Sequence, residues 1–206
     1  DFPVEVPAHG DLLAGRLRVE VDDDHARAVA DGLDLAQHHR KRIVDLQHED
    51  ASHDVDDAHR AAVAHFEEAL EALRPLAERR ANIARAIDIR IALRSALTPL
   101  GDFGRMLEHL QEAEALARTI EDAARLGLVA SFLTNYFTVM FDLPRAVEYG
   151  EGALRIAESI RDLRLEVVTN AYLGTAYYGF GDYARAAALA RRNIERLGGD
   201  LVRDRF

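Results

Sequence analysis

Histidine and aspartate residues concentrate in the first third of the chain, where they could hold a metal ion. Seven of the nine histidines lie between His25 and His65. Imidazole nitrogens and carboxylate oxygens bind zinc, iron and manganese, and such ions activate water for hydrolysis. A metal-dependent phosphohydrolase is therefore one hypothesis. The residues of suitable type are His38, His39, His48, His53, Asp54 and Asp57.

The spacing of these residues matches no dedicated metal motif such as H-E-x-x-H. The adjacent His53 and Asp54 resemble the paired ligands of HD-type phosphohydrolases, but the separated ligands of that family cannot be placed on helices here. We therefore assign no metal, no cofactor and no catalytic residue. Residues 1–60 are interpreted as an irregular His/Asp-rich leader, and a polar leader or a mis-set reading frame are the alternatives to a metal site.

Composition limits the classes of partner. The formal net charge of −10 argues against nucleic acid, because phosphate backbones are bound by clustered Lys and Arg. The absence of cysteine excludes disulfides and thiolate chemistry. No apolar run approaches the roughly 18 residues of a membrane span. These observations predict a soluble, cytoplasmic, mostly helical chain without a membrane or nucleic-acid partner.

A repeat with a period of 40 residues follows the leader. Each helical hairpin of such a repeat buries only part of its apolar surface, and the next hairpin must cover the rest. We predict an all-α fold over residues 61–206, with antiparallel hairpins stacked in an α-α superhelix of about three and a half units. The equivalent positions include Leu93, Leu133 and Leu173; Asp102, Asp142 and Asp182; and Met106, Ala146 and Ala186.

The array is expected to begin with half a unit or with a degenerate one. Ala62, Phe66 and Ala69 have the spacing of a second helix, and its first-helix partner would lie at about residues 42–56. Gly101 and Gly181 permit a positive φ at their turns, whereas Phe141 at the equivalent position is expected to need a different turn. The period exceeds the usual 34 residues of such repeats, which predicts lengthened loops between units.

Several motifs resemble the tetratricopeptide (TPR) repeat: Leu173-Gly174, Tyr177, Gly181-Asp182-Tyr183 and Ala186. The segments Ile87–Leu97 and Pro99–Met106 further resemble the TPR region of bacterial signalling ATPases, many of which carry an adenylate or guanylate cyclase domain. The resemblance covers residues 61–206 and implies a regulatory or sensing platform. Two departures, Arg94 at the glycine position and Met106 at the alanine position, suggest that the first full unit is packed more loosely.

In TPR arrays the first helices line the concave face, and polar residues there could hydrogen-bond a peptide. The groove lacks Lys and Arg clamps, so an acidic C-terminal tail is not the expected ligand. The row Arg105, Arg145 and Arg185 is expected to contact acidic neighbours in adjacent repeats. The candidate partner-binding residues are Asp88, Ser95, Thr98, Ser131, Asn135, Thr138, Thr175 and Tyr178.

These observations together predict a non-enzymatic protein-interaction or sensing module. It would be a fragment of the regulatory TPR region of a bacterial nucleotide-cyclase or ATPase-type signalling protein. The partner would be a protein, a peptide or a neighbouring domain. The alternatives are the metal-dependent phosphohydrolase and a purely oligomerising scaffold that self-associates through uncapped repeat ends.

Overall fold

The computed structural model describes residues 52–76 and 79–198, with side chains from Val55 onward. Seven α-helices and one 3-10 turn, Arg74–Leu76, account for nearly all of this part, which contains no strand. The all-α prediction is confirmed. The helices are α1 Ser52–Leu73, α2 Arg80–Leu97, α3 Phe103–Thr119, α4 Ala123–Val139, α5 Leu143–Ile160, α6 Leu163–Phe180 and α7 Tyr183–Leu197.

The helices pack as a stack of antiparallel hairpins, α2–α3, α4–α5 and α6–α7, with each helix against its neighbours in the chain. The predicted TPR-like arrangement is therefore present. Helix α1 takes the place of a second helix, with Ala62, Phe66 and Ala69 buried against the core. Residues 52–56 belong to α1 itself and not to its partner. The division of the chain at residue 60 stays a prediction, since most of the leader lies outside the described residues.

Large and small residues alternate across the helix contacts, as the repeat pattern requires. Leu93, Leu133 and Leu173 are each at most 1% exposed. Gly150 on α5 provides the space for Leu173: a Cβ at this glycine would lie 2.8 Å from the leucine Cδ1. Gly127 on α4 is equally confined, since its Cβ would lie 2.6 Å from a side-chain carbon of Leu165. The core therefore depends on where the small residues stand.

All five turns from α2 to α7 share one geometry, and they recur every 20 residues. Each turn has a residue at positive φ, which is followed by an aspartate. The aspartate N–H donates to the carbonyl oxygen five residues earlier, and its side chain accepts from the backbone N–H three residues later. A left-handed helix stop is thus joined directly to an N-cap. The five pairs are Gly101-Asp102, Glu121-Asp122, Phe141-Asp142, Arg161-Asp162 and Gly181-Asp182.

Two sequence expectations about these turns are wrong. Phe141, at φ 59°, adopts the same left-handed conformation as Gly101 and Gly181 instead of a different turn. The loops between units are not lengthened, because the turns after α3 and α5 are as short as those within a hairpin. The extra residues lie in the helices, most of which are 17 or 18 residues long. Helix length, and not loop length, sets the 40-residue period.

The turn geometry predicts opposite effects for two substitutions. Phe141→Gly should raise the free energy of unfolding by about 0.5–1 kcal/mol, because a left-handed backbone costs a side chain about 1–2 kcal/mol and glycine's freedom in the unfolded chain offsets part of this. Gly181→Ala should lower it by about 1 kcal/mol. A Cβ at Gly181 meets nothing within 4 Å, so this control reports on the backbone alone. Urea unfolding measures both, and no gain for Phe141→Gly would contradict the assigned turn.

Candidate interaction surface

The first group of candidate groove residues is Asp88 and Ser95 on α2 and Thr98 at its C-cap, and only the last two are exposed. Asp88 already has a partner within the protein. The Arg125 guanidinium donates to both of its carboxylate oxygens, Nε to Oδ1 at 2.8 Å and NH2 to Oδ2 at 2.7 Å. This bidentate contact joins α2 of one unit to α4 of the next. The Thr98 hydroxyl donates to the Arg94 carbonyl oxygen at 2.7 Å and remains open as an acceptor.

Arg125 also donates from NH1 to Asp122, its own N-cap, at 2.7 Å. The hydrogen bonds to Asp88 and the negative charge of that carboxylate raise the pKa of Arg125. Burial works against the Asp122 carboxylate, but hydrogen bonds from the backbone and side chain of Arg125 outweigh it and lower the pKa of Asp122. The charges at this junction are therefore mutually satisfied, and the junction is a structural link between units.

On α4 the candidates differ in exposure. Asn135 and Thr138 are half-buried, and the Thr138 hydroxyl donates to the Thr134 carbonyl oxygen at 2.8 Å. Ser131 is completely buried, so its expected exposure to a ligand is corrected by the structure. The reason is the central place of α4, which packs against α3, α5 and α6 and has buried residues around most of its circumference.

On α6 the candidates Thr175 and Tyr178 are both exposed. The Thr175 hydroxyl donates to the Ala171 carbonyl oxygen at 3.0 Å. The Tyr178 side chain is 65% exposed, and its ring meets that of Tyr183 edge-on, with centroids 5.2 Å apart. The first helices thus present a partly exposed polar row that ends in an aromatic pair.

Sequence reasoning missed a cluster of exposed apolar side chains, which we call the aromatic edge. Among the described residues, seven large hydrophobic side chains are exposed, and six of them lie in or next to two turns, the α4–α5 turn and the α6–α7 turn. Ile194 on α7 is the seventh. The aromatic edge consists of Val139, Met140, Phe141, Tyr178, Phe180 and Tyr183.

The packing of α6 against α5 brings the two turns together. A Cβ at Gly179 would lie 3.3 Å from Leu143, the first residue of α5. Phe180 lines a shallow pocket with Val147 and Tyr177, at the end of the stack where Asp182 and Arg185 form an ion pair. The sequence contained one usable sign, namely phenylalanine at a turn position where the other hairpins have glycine.

The arginine row behaves partly as expected. Arg105 pairs with Glu67 on α1, in the preceding half unit. Arg145 instead pairs with its own cap Asp142, and its guanidinium lies 4.4 Å from the Phe137 ring centroid. Arg185 repeats this arrangement with Asp182 and with Tyr177, at 5.2 Å from the ring centroid. Arg145 and Arg185 therefore link a turn to an aromatic ring of the first helix in the same unit, and only Arg105 contacts an acidic residue of a neighbouring unit.

Most of the candidate metal ligands fall outside the part of the chain whose side chains are described, so the metal site stays untested. His38, His39 and His48 lie outside the described residues, and the side chains of His53 and Asp54 are likewise not described. Asp57 is exposed on α1. Within residues 55–76 and 79–198, no group of three or more His, Asp or Glu side chains could hold a metal ion.

No protein-family model and no curated protein matches the sequence. Solved structures do show similarity. The crystal structure of BtubC (BKLC) from P. vanneervenii aligns over 84% of this chain and 88% of its own, at 19% identity and a TM-score of 0.48. The crystal structure of MamA protein aligns over 83% and 92%, at 16% identity and a TM-score of 0.40. At these levels the likeness says nothing about a ligand or partner.

None of the helices described between residues 52 and 198 is both long and apolar enough to cross a bilayer.

The Asp122 junction predicts a pH-dependent stability. Because the folded pKa of Asp122 lies below its ordinary value of 3.8, its carboxylate stabilises the fold above that pH and loses this effect as the pH falls through the depressed pKa. Asp122→Asn keeps an acceptor for the N-cap but removes the charge opposite Arg125. We expect a loss of roughly 1 kcal/mol in unfolding free energy at neutral pH, which shrinks on acidification.

Asp162→Asn is the matched control, since Asp162 caps α6 through the Leu165 N–H and forms no ion pair with any described residue. Urea unfolding curves at a series of pH values provide the measurement. If the Asp122→Asn and Asp162→Asn variants lost equal stability at every pH, the assigned role of the Arg125 pair would be wrong.

Proposed function

We propose that this chain is a non-enzymatic protein-interaction module that binds its partner through the aromatic edge and the adjoining exposed row of first-helix residues. The clustering of six of the seven exposed large hydrophobic side chains on two neighbouring turns carries this proposal. Contiguous exposed apolar surface is uncommon on soluble proteins and marks interaction sites. Tyrosine, phenylalanine and methionine are also enriched at the centres of protein interfaces.

The charges around the aromatic edge favour a partner with an apolar protein surface over a partner that carries a high net charge. Arg145 is paired with Asp142, and Arg185 with Asp182, so the two arginines at this edge are neutralised by their own caps. A partner must therefore bury apolar surface here. The rigid rings of Tyr178 and Phe180 fit this role, because large side chains with few rotatable bonds lose little entropy on binding.

We further propose the setting that the sequence resemblance implies, the regulatory region of a cytoplasmic bacterial signalling protein of the nucleotide-cyclase or ATPase type. In that setting the aromatic edge would contact a neighbouring domain or a peptide. An ATPase or cyclase domain in the same continuous reading frame would support this setting, and reading frames without one would remove it.

A second candidate function, self-association, is favoured by the outer face of α7. Ala146, Gly150, Ala153 and Ala157 of α5 are all buried, and a Cβ at Gly150 would lie 2.8 Å from Leu173 of the helix that follows. The equivalent residues of α7 are Ala186, Ala190, Asn193 and Leu197, and no residue of α7 is fully buried. If a second copy covers this face, light scattering should show a mass that rises with concentration, and Ala190→Arg should abolish the rise. A monomer at all concentrations would exclude it.

The aromatic edge is tested with peptides selected from a random display library against the purified chain. We expect Tyr178→Ser and Phe180→Ser each to weaken the Kd of selected peptides by about tenfold or more, because truncation of an aromatic anchor costs roughly 2 kcal/mol. Ile194→Ser is the matched control, since Ile194 is 70% exposed but lies outside the edge. Asn135→Ala reports separately on the groove.

Calorimetric titration gives the Kd values, and thermal unfolding checks that each variant is folded. Equal affinities for wild-type, Tyr178→Ser and Phe180→Ser would remove the edge from the proposal. If only Asn135→Ala weakened binding, the groove would be the site.

A further inference from the structure

The guanidinium of Arg94 differs from the other interfacial cations. Arg94 projects from α2 onto α4, where its Cζ lies 4.1 Å from the centre of the Phe132 ring. Its Nε is buried and has no hydrogen-bond acceptor among the described residues. Burial lowers the pKa of Arg94, which means that the environment opposes its charge. A buried nitrogen of this kind is uncommon, because buried donors in proteins are nearly always paired.

Other arginines at helix contacts have carboxylates. Arg125 holds Asp88, Arg90 holds Glu112, and Arg192 holds both Glu158 and the buried Glu166. No carboxylate within residues 55–76 and 79–198 forms an ion pair with Arg94. A desolvated charge without a counter-charge is costly, and the Phe132 ring compensates only part of this cost. Arg94 therefore retains an unused capacity to bind an anion.

The geometry indicates which part of the guanidinium is free. Phe132 covers one face of the plane, and Nε points into the protein. The two terminal nitrogens form no hydrogen bond with any described residue, and they are not among the buried unpartnered atoms, so the half-buried side chain keeps some accessible surface there. The Phe132 ring is followed by Tyr172 of α6, with centroids 6.5 Å apart. The guanidinium therefore lies at one end of a row formed by Arg94 on α2, the buried Phe132 on α4 and the half-buried Tyr172 on α6.

We propose that Arg94 anchors a carboxylate of the partner, an Asp or Glu side chain held by the open edge of the guanidinium. This inference rests on the proposed function and specifies the chemistry of the partner. A planar carboxylate matches the fork of N–H donors and can accept two parallel hydrogen bonds. Arg94 thus supplies the cation that the candidate groove positions lack, from a position where the repeat pattern places glycine.

The test is a nuclear magnetic resonance titration of the full chain labelled with 15N at arginine Nε. The Arg94 signal is assigned by its disappearance in Arg94→Met. The probes are N-acetylglutamate amide, its neutral isostere N-acetylglutamine amide, and inorganic phosphate. We expect a saturable shift of the Arg94 signal with the glutamate probe and none with the glutamine probe. Signals of exposed arginines such as Arg155 and Arg191 should move only linearly.

A second arm uses the selected peptides. Those containing Asp or Glu should bind Arg94→Lys about tenfold more weakly than wild-type, because lysine keeps the charge but not the fork. Arg94→Met should weaken them at least as much, and it should leave peptides without acidic residues unaffected. Dependence on Tyr178 and Phe180 is scored separately. If the peptides respond to the Arg94 variants but not to the Tyr178 and Phe180 variants, only the proposal for the aromatic edge is wrong.

Three results would overturn the Arg94 proposal. The first is an Arg94 signal indifferent to the glutamate probe, combined with equal peptide affinities for wild-type and Arg94→Met. The second is a saturable response to phosphate without one to glutamate, which would assign a different anion. The third concerns the longest run of acidic residues in the leader, Asp22, Asp23 and Asp24. If their replacement by Asn shifted the Arg94 signal in the free chain, the anion would belong to the chain itself.

Discussion

The repeated turn is the constraint on which the rest of the structure depends. A residue at positive φ ends one helix, and the next residue, an aspartate, caps the following helix with no linker between them. Two helices joined in this way must run antiparallel, and each has about the same length before the next turn. Because the same turn serves within and between hairpins, the stack has a helical period of 20 residues inside its repeat of 40. The positions of all contacts follow from that spacing.

The contacts themselves depend on size complementarity at fixed positions. Gly150 lies beneath Leu173, and Gly127 beneath Leu165 and Ile156, so that first and second helices approach closely. Where a large residue replaces a small one in this pattern, its side chain must extend into a neighbouring contact. Arg94 occupies the position of a glycine, and its side chain extends across to Phe132 in the next unit. A departure from the repeat that suggested only looser packing has therefore introduced a charge at a contact between units.

Much of the fold follows from sequence, because the residues that carry it recur at equivalent positions. Leu93, Leu133 and Leu173 recur at one position of the repeat, and all three are buried. The common turn was not predicted, because Glu121, Phe141 and Arg161 are residue types that rarely adopt a left-handed backbone. The aspartate that follows each of them was the one regular sign of the turn in the sequence. The burial of Ser131 could not be predicted, since it depends on how many helices surround α4. Exposure at the aromatic edge is equally a tertiary property: Tyr183 stands at the same repeat position as the half-buried Phe103 and Leu143, yet it is 62% exposed.

The distribution of charge links the architecture to recognition. The formal net charge is −10, so cationic side chains are fewer than anionic ones. Several of the arginines form ion pairs with carboxylates at helix contacts. Cations engaged in this way stabilise the stack but cannot attract a partner. At the aromatic edge the arginines are neutralised by their caps, which leaves shape and apolar area to determine affinity. A cation without a counter-charge, as at Arg94, then contributes mainly specificity, because an acidic residue placed elsewhere on the partner would meet a surface of its own sign.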